Sequence, residues 1–293
     1  MSFIRRAVIF AAALAAVAAG TVAPAGAATI TGAGTSLTFS GTGGDYITQD
    51  QSWSYDPSNS VISATVSSDL NHVSVHVDGN TWWDLDLAAP QGQALTAGTV
   101  YDNAARYPFE GPTQPGLSLD GDGRGCNTLT GSFTVKSASF GPNGWIENFD
   151  ATFVQHCEGD TSSEATGEVV LNNGPAPPEL AVSVTSASTG YVSHVTGRVA
   201  LTGTVTCNRA TSVDLYGKLT QRVSRTLLAT GNWSATGIAC DTTPTQWSAT
   251  VVPDSVPFNP GQAQLDGSYS SFDPAYQITV NGGFSQTIRL VNG

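Results

Sequence analysis

Charge is scarce in this chain, and positive charge is scarcest. Only 12% of its 293 residues are charged, with 11 Lys and Arg against 23 Asp and Glu. Phosphate binding needs clustered basic residues, so this balance argues against nucleic acid as a partner. Disorder is excluded as well, because disordered chains pair low hydrophobicity with dense charge, and 40% of these residues are hydrophobic. Helical periodicity is missing throughout. Catalytic signatures are missing too: there is no G-x-S-x-G elbow, no H-E-x-x-H and no glycine-rich phosphate loop. With no C-x-x-C and four histidines in all (His72, His76, His156 and His194), metal chemistry has little to build on.

What is present begins with an export signal. Arg5 and Arg6 precede an apolar stretch from Ala7 to Gly20, and Ala25-Gly26-Ala27 fits a small-x-small cleavage site. About 14 apolar residues fall short of the ~20 that span a bilayer. Residues 1–27 therefore read as a signal peptide. The residues around the arginine pair fit a twin-arginine signal poorly, which favours general secretion. The expected destination is extracellular, with no membrane insertion after cleavage.

A second boundary falls at residues 173–178, whose prolines favour a stiff spacer. It divides the chain into 28–172 and 179–293. Residues 28–174 carry three basic against 17 acidic residues, or −14, while 175–293 carry six of each sign. Both halves show short alternating runs bounded by Gly, Pro, Asn and Asp. In the first these are 36–40, 61–67, 72–77, 82–87, 129–139, 145–157 and 164–171. In the second they are 180–186, 198–207, 212–223, 226–234, 246–252, 262–270 and 276–290, the last folding back at Asn281-Gly282-Gly283. The pattern predicts an all-β protein of two antiparallel β-sandwich domains with immunoglobulin-like architecture.

Four cysteines, Cys126, Cys157, Cys207 and Cys240, permit three pairings. Export favours oxidation, and pairing within each half is the simplest arrangement. Each bridge would then close a loop worth roughly 3–4 kcal/mol in the chain-entropy account. The spacing from Cys207 to Cys240 is too short for the antibody-type bridge, so "immunoglobulin-like" describes architecture only.

Three segments carry a resemblance: Asn103-Ala104-Ala105-Arg106-Tyr107-Pro108-Phe109, the run from Gly121-Asp122-Gly123-Arg124-Gly125-Cys126-Asn127 to Val135, and the run from Phe149 to Gln155-His156-Cys157-Glu158-Gly159. They resemble a β-rich module of secreted proteins from high-GC Gram-positive bacteria, to which no activity is assigned. The second half is similar, more weakly, to uncharacterised β-rich domains of the same group. The resemblance implies that Cys126 and Cys157 belong together.

The runs at 72–77 and 82–87 form the most informative pair. A three-residue loop at Asp78-Gly79-Asn80, with Gly or Asn in a left-handed conformation, sets His76 against Trp82, Val75 against Trp83 and His72 against Asp86. Val73, Val75, Trp83 and Leu85 then enter the core. His72, His76, Trp82, Asp84 and Asp86 collect on the outer face as the candidate ligand-binding residues. Trp82 offers a stacking surface for a sugar ring, and the carboxylates offer hydroxyl acceptors. The two histidines sit ~13 Å apart along the strand, too far to share a metal.

Asp120-Gly121-Asp122-Gly123-Arg124-Gly125 starts like a calcium loop. Arg124 occupies a ligand position and Gly131 stands where Glu is needed, so a tight turn is expected. No cofactor is implied, and calcium enters only through the general acidity of the first half. In the second half, Lys218 and Arg222 share a strand face with Arg225 beyond, either meeting the acidic half or solvated. The expectation is a secreted, non-enzymatic binding or structural module for an extracellular or envelope polymer or a protein. The alternative is a carbohydrate-active enzyme using carboxylates of the first half, since paired carboxylates follow no sequence spacing.

Overall fold

A computed structural model describes residues 28–293. The segment read as a signal peptide lies outside the described residues. Within them the chain is all-β, without an α-helix and with one 3₁₀ turn at Pro142–Gly144. Among the described residues, no helix is long and apolar enough to cross a membrane.

Eleven strands form the N-terminal sheet. They are β1 (Ala28–Thr29), β2 (Ser36–Thr42), β3 (Ser52–Tyr55), β4 (Val61–Val66), β5 (His72–Asp78) and β6 (Trp82–Ala88), then β7 (Thr99–Arg106), β8 (Gly116–Gly121), β9 (Leu129–Phe140), β10 (Ile146–Cys157) and β11 (Glu164–Asn172). Their order across the sheet is β1-β4-β5-β6-β8-β7-β9-β10-β11-β2-β3. Eight strands form the C-terminal sheet: β12 (Val182–Ser186), β13 (Thr189–Val192), β14 (Val199–Cys207), β15 (Thr211–Arg222), β16 (Leu228–Cys240), β17 (Thr245–Val251), β18 (Gly261–Asp273) and β19 (Ile278–Asn292). Here the order is β12-β14-β13-β19-β18-β15-β16, with β17 on β14.

Alternation dictates the packing. Along β5 the residues Val73, Val75 and Val77 are buried while His76 and Asp78 are exposed. Each sheet encloses its own apolar cluster. In the first, strands from opposite ends of the sheet order face each other. Phe39 of β2 and Trp53 of β3 pack on Trp83 of β6, with ring centroids 4.7 and 5.2 Å apart. Tyr55 fixes the same contact by accepting the Trp83 indole N–H at 2.8 Å. In the second, Trp233 of β16 stacks on Trp247 of β17 at 5.4 Å. Cys126–Cys157 closes one cluster and Cys207–Cys240 the other, both pairs fitting an oxidising compartment.

Three sequence expectations need correction. First, the sheets are not wholly antiparallel, because β7 and β8 run parallel, as do β13 and β19. Both kinds of pairing have a side-chain period of two, so alternation alone does not separate them. Second, four strands fell outside the predicted runs in the first half (β1, β3, β7 and β8), and one in the second (β13). Third, Asn281-Gly282-Gly283 is not a turn. It lies inside the 15-residue β19, and the chain reverses earlier, at Pro274 to Gln277, where Gln277 has φ 56°.

The last correction has a physical cause that recurs. Gly282 stands directly opposite Tyr269, and a Cβ there would lie 2.4 Å from the tyrosine ring. Gly267 likewise faces Phe284, Gly217 faces Trp233, Gly203 faces Trp247, Gly167 faces Phe153 and Gly121 faces Trp83. In each pair a Cβ would come within 2.8 Å of the facing ring. Glycine inside these strands seats an aromatic ring from the next strand, rather than ending the strand.

The proline-rich segment between the sheets is held on both sides. The Glu147 carbonyl accepts the Asn173 and Gly174 amides at 3.0 and 3.1 Å, and its carboxylate accepts the Ala176 amide. Tyr276 donates its hydroxyl to the Pro177 carbonyl and meets Trp145 edge-on at 5.9 Å. No ion pair among the described residues joins the two sheets.

Candidate functional site

The hairpin of β5 and β6 presents the predicted residues, in a shifted register. The loop has three residues as expected, but they are Gly79, Asn80 and Thr81, and Asp78 pairs with Trp82. None of the three is left-handed. Thr81 leaves the ladder because its hydroxyl is bonded to the Tyr55 hydroxyl at 2.6 Å and the Trp83 indole at 2.9 Å. At Gly79 an added Cβ would lie 3.1 Å from the Tyr55 ring and 3.2 Å from Ser60, so glycine suits the loop there. The change moves partners by two residues, so both faces survive. Val73, Val75, Trp83 and Leu85 are fully buried, and Trp82 is 43% exposed.

The correction brings histidine and carboxylate together. His76 now faces Asp84, not Trp82, and its Nδ1 lies 2.6 Å from Asp84 Oδ1. His72 faces Ala88 yet reaches diagonally to Asp86, with Nε2 2.8 Å from Oδ1. Tyr107, beyond the end of β7, stacks on the His72 ring at 4.2 Å and places its hydroxyl 3.2 Å from Nδ1. A neutral His72 satisfies both contacts by donating from Nε2 to Asp86 and accepting the tyrosine hydroxyl at Nδ1.

Strand β8 adds two groups to this face that the sequence reading did not place there. Its pairing with β6 sets Asp120 opposite Asp84 and Ser118 opposite Asp86. Burial raises the Asp120 pKa; the Ser118 hydroxyl, donating at 3.1 Å, opposes this, and Asp84 and Asp86 push it further up. The Tyr107 hydroxyl is also raised, by burial and then by Asp86 and Glu110. The outer face thus carries a row of three carboxylates, two already paired with histidine and one held toward its protonated form.

The turn that follows β8 behaves as expected from its failed calcium pattern. Gly121 and Arg124 exchange backbone hydrogen bonds of 3.0 and 2.8 Å around Asp122 and Gly123, whose φ values are 48° and 74°. Two positive φ values in a two-residue loop define a type I′ turn. Arg124 then serves the core. Its guanidinium covers Trp83 at 5.4 Å, donates to the Ile47 carbonyl at 2.7 Å and pairs with Asp122 at 2.9 Å.

The site is a face rather than a pocket. A cleft of about 400 Å³, lined by Asn71, Ala89 and Glu110 among others, adjoins the His72 end of this face, and other clefts of the N-terminal sheet lie further off. One of about 500 Å³ runs over Thr38, Trp53, Thr152 and Glu168. Another, about 590 Å³, is bounded by Asn103, Thr130, Ser132 and His156. The three segments Asn103 to Phe109, Gly121 to Val135 and Phe149 to Gly159 meet at this second cleft. Asn103, at φ 58°, sits there in a bulge of β7. His156 is anchored by its Nδ1 at 2.8 Å from the Ser163 carbonyl, a structural role. No family model and no curated protein sequence matches the chain.

Proposed function

We propose that the chain is a secreted, non-enzymatic binding or structural protein for an extracellular or envelope polymer or a protein. In this reading residues 1–27 are a signal peptide, and 28–172 and 179–293 are β-sandwich domains of immunoglobulin-like architecture joined by 173–178. The observation that carries it is the open face on which Trp82 lies beside the His76–Asp84 and His72–Asp86 pairs. Such a face offers a stacking ring, carboxylate acceptors and an imidazole edge without enclosing a reacting group. Carbohydrate recognition uses those elements.

Pelleting with insoluble envelope and plant or fungal polymers tests this reading, run on wild type and on Trp82→Ala. Binding to at least one polymer, weakened about tenfold or more by Trp82→Ala, is expected. Wild-type protein that pellets with none of them, and that retains no partner on an envelope-protein column, overturns it. One observation favours the alternative of a carbohydrate-active enzyme: Asp120, with its raised pKa, stands opposite Asp84. Reducing-sugar release that disappears in Asp120→Asn would establish that alternative.

A further inference from the structure

We propose a second binding site on the C-terminal sheet, a groove that takes an anionic glycopolymer through Arg222 and Arg289. Two adjoining clefts cross strands β15, β18 and β19. One, of about 290 Å³, is lined by Arg222, Leu228, Gln262, Gln264 and Thr287 among others. The other, about 420 Å³, adds Arg289 and shares Gln262 and Thr287. No carboxylate lines either cleft.

Register explains the arrangement. Gln262 pairs with Arg289 on one side, and the antiparallel pairing of β15 and β18 carries Arg222 to the other. Two strand spacings put the arginine backbones about 10 Å apart. The result is a row of guanidinium, amide and guanidinium across three strands. Both arginines are exposed, and neither forms an ion pair among the described residues. Arg222 uses one N–H on the Arg225 carbonyl at 3.0 Å, which steadies it and leaves its remaining donors free. The Gln262 side chain makes no hydrogen bond among the described residues. Its neighbour Gln264 is oriented by the Thr287 hydroxyl at 3.1 Å and by Ser285 at 2.8 Å. A nearby carboxylate, Asp266, lies one row further along β18, opposite Lys218 and bonded by Ser285.

Guanidinium forks recognise carboxylate and phosphate oxygens, and free amides and hydroxyls recognise sugar hydroxyls. Clefts of these volumes accept one or two sugar rings, and a carboxylate-free row of donors across three strands matches the spaced charges of an extended anionic chain. The acidic excess of the chain belongs to the other sheet. At physiological salt its field fades over a Debye length of ~8 Å. This site is separate from the His–Asp face, so either reading can fail alone.

Equilibrium binding of the full chain to polygalacturonate, poly(glycerol phosphate) and neutral dextran tests the groove. Binding to at least one anionic polymer and none to dextran is expected, weakening as salt is added. Arg222→Gln or Arg289→Gln should each reduce affinity about tenfold. Which anionic polymer binds tells carboxylate from phosphodiester recognition. The proposal is overturned if neither anionic polymer binds, or if the double variant, folded by its thermal melt, binds like wild type. It is also overturned if low salt produces self-association that the double variant abolishes, which would assign the groove to a second copy.

Discussion

In the N-terminal sheet His72, His76, Arg124 and Lys136 each sit against a carboxylate, whereas in the C-terminal sheet only Arg209 does so, on buried Asp273. The half with the large formal charge keeps it, but gives many of its carboxylates local hydrogen-bond partners. Asp45, Asp50, Asp56, Asp69, Glu147, Glu158 and Asp160 also accept backbone amides at turns and at the inter-sheet segment. Hydrogen bonds from the Ser58, Ser67, Ser139 and Ser162 hydroxyls, with the backbone amides adding to them, hold Asp56, Asp69, Glu147 and Asp160 below their ordinary pKa values, and the Asn127 amide does the same for Glu158. The net-neutral half instead leaves Lys218, Arg222 and Arg289 without ion-pair partners among the described residues. A net charge of zero therefore conceals free cationic groups in the second half.

The largest effect that can break this comparison involves the bridges. They join residues 31 and 33 apart, so chain entropy predicts nearly equal stabilisation of about 3–4 kcal/mol each. Replacing Cys126 and Cys157 together by Ala, or Cys207 and Cys240 together, should lower stability by similar amounts in urea unfolding. A clear inequality would mean that one sheet retains structure when unfolded, or that one bridge carries packing the other does not.

A middle-sized effect should be common to both sheets. Gly167 and Gly267 each seat a ring whose nearest atom would lie 2.4 Å from an added Cβ. Gly167→Ala and Gly267→Ala should each cost about 1–3 kcal/mol through overpacking. Gly237→Ala makes a useful contrast, since there the space is open and only the φ of 68° is strained. If the seated glycines tolerate alanine without loss, ring seating does not explain them.

How much of this was legible follows from the same residues. Alternation identified both faces of β5 and β6, because a register change of two keeps them. It did not fix the partner, because Tyr55, from a strand outside the predicted runs, sets where the loop begins. The disulfide pairs were accessible from the division of the chain. Asp120 was visible only as part of a turn motif, and its place opposite Asp84 depends on β8 joining β6, which short polar runs do not reveal. Glycine was misleading in β19, since a residue that ends strands by conformation also admits a facing ring.

The smallest expected effect concerns Asp120, the one member of the carboxylate row held toward protonation. A folded-state pKa above the unfolded value means that the folded protein binds that proton more tightly. Stability from this group is therefore greatest below its unfolded pKa and declines as pH rises through the folded one. Asp120→Asn removes the cost of the half-buried charge, and its side-chain carbonyl still accepts from Ser118. The variant should unfold at a higher urea concentration than wild type at pH 7, and the gap should close on acidification below the ordinary aspartate value of 3.8. Acid lability from Asp56, Asp69, Glu147, Glu158 and Asp160 runs in the opposite direction but is common to both proteins, so it cancels in the difference. A variant less stable than wild type at pH 7 would show that the Asp120 carboxylate is a favourable partner in its row. The N-terminal face would then be built around its charge rather than in spite of it.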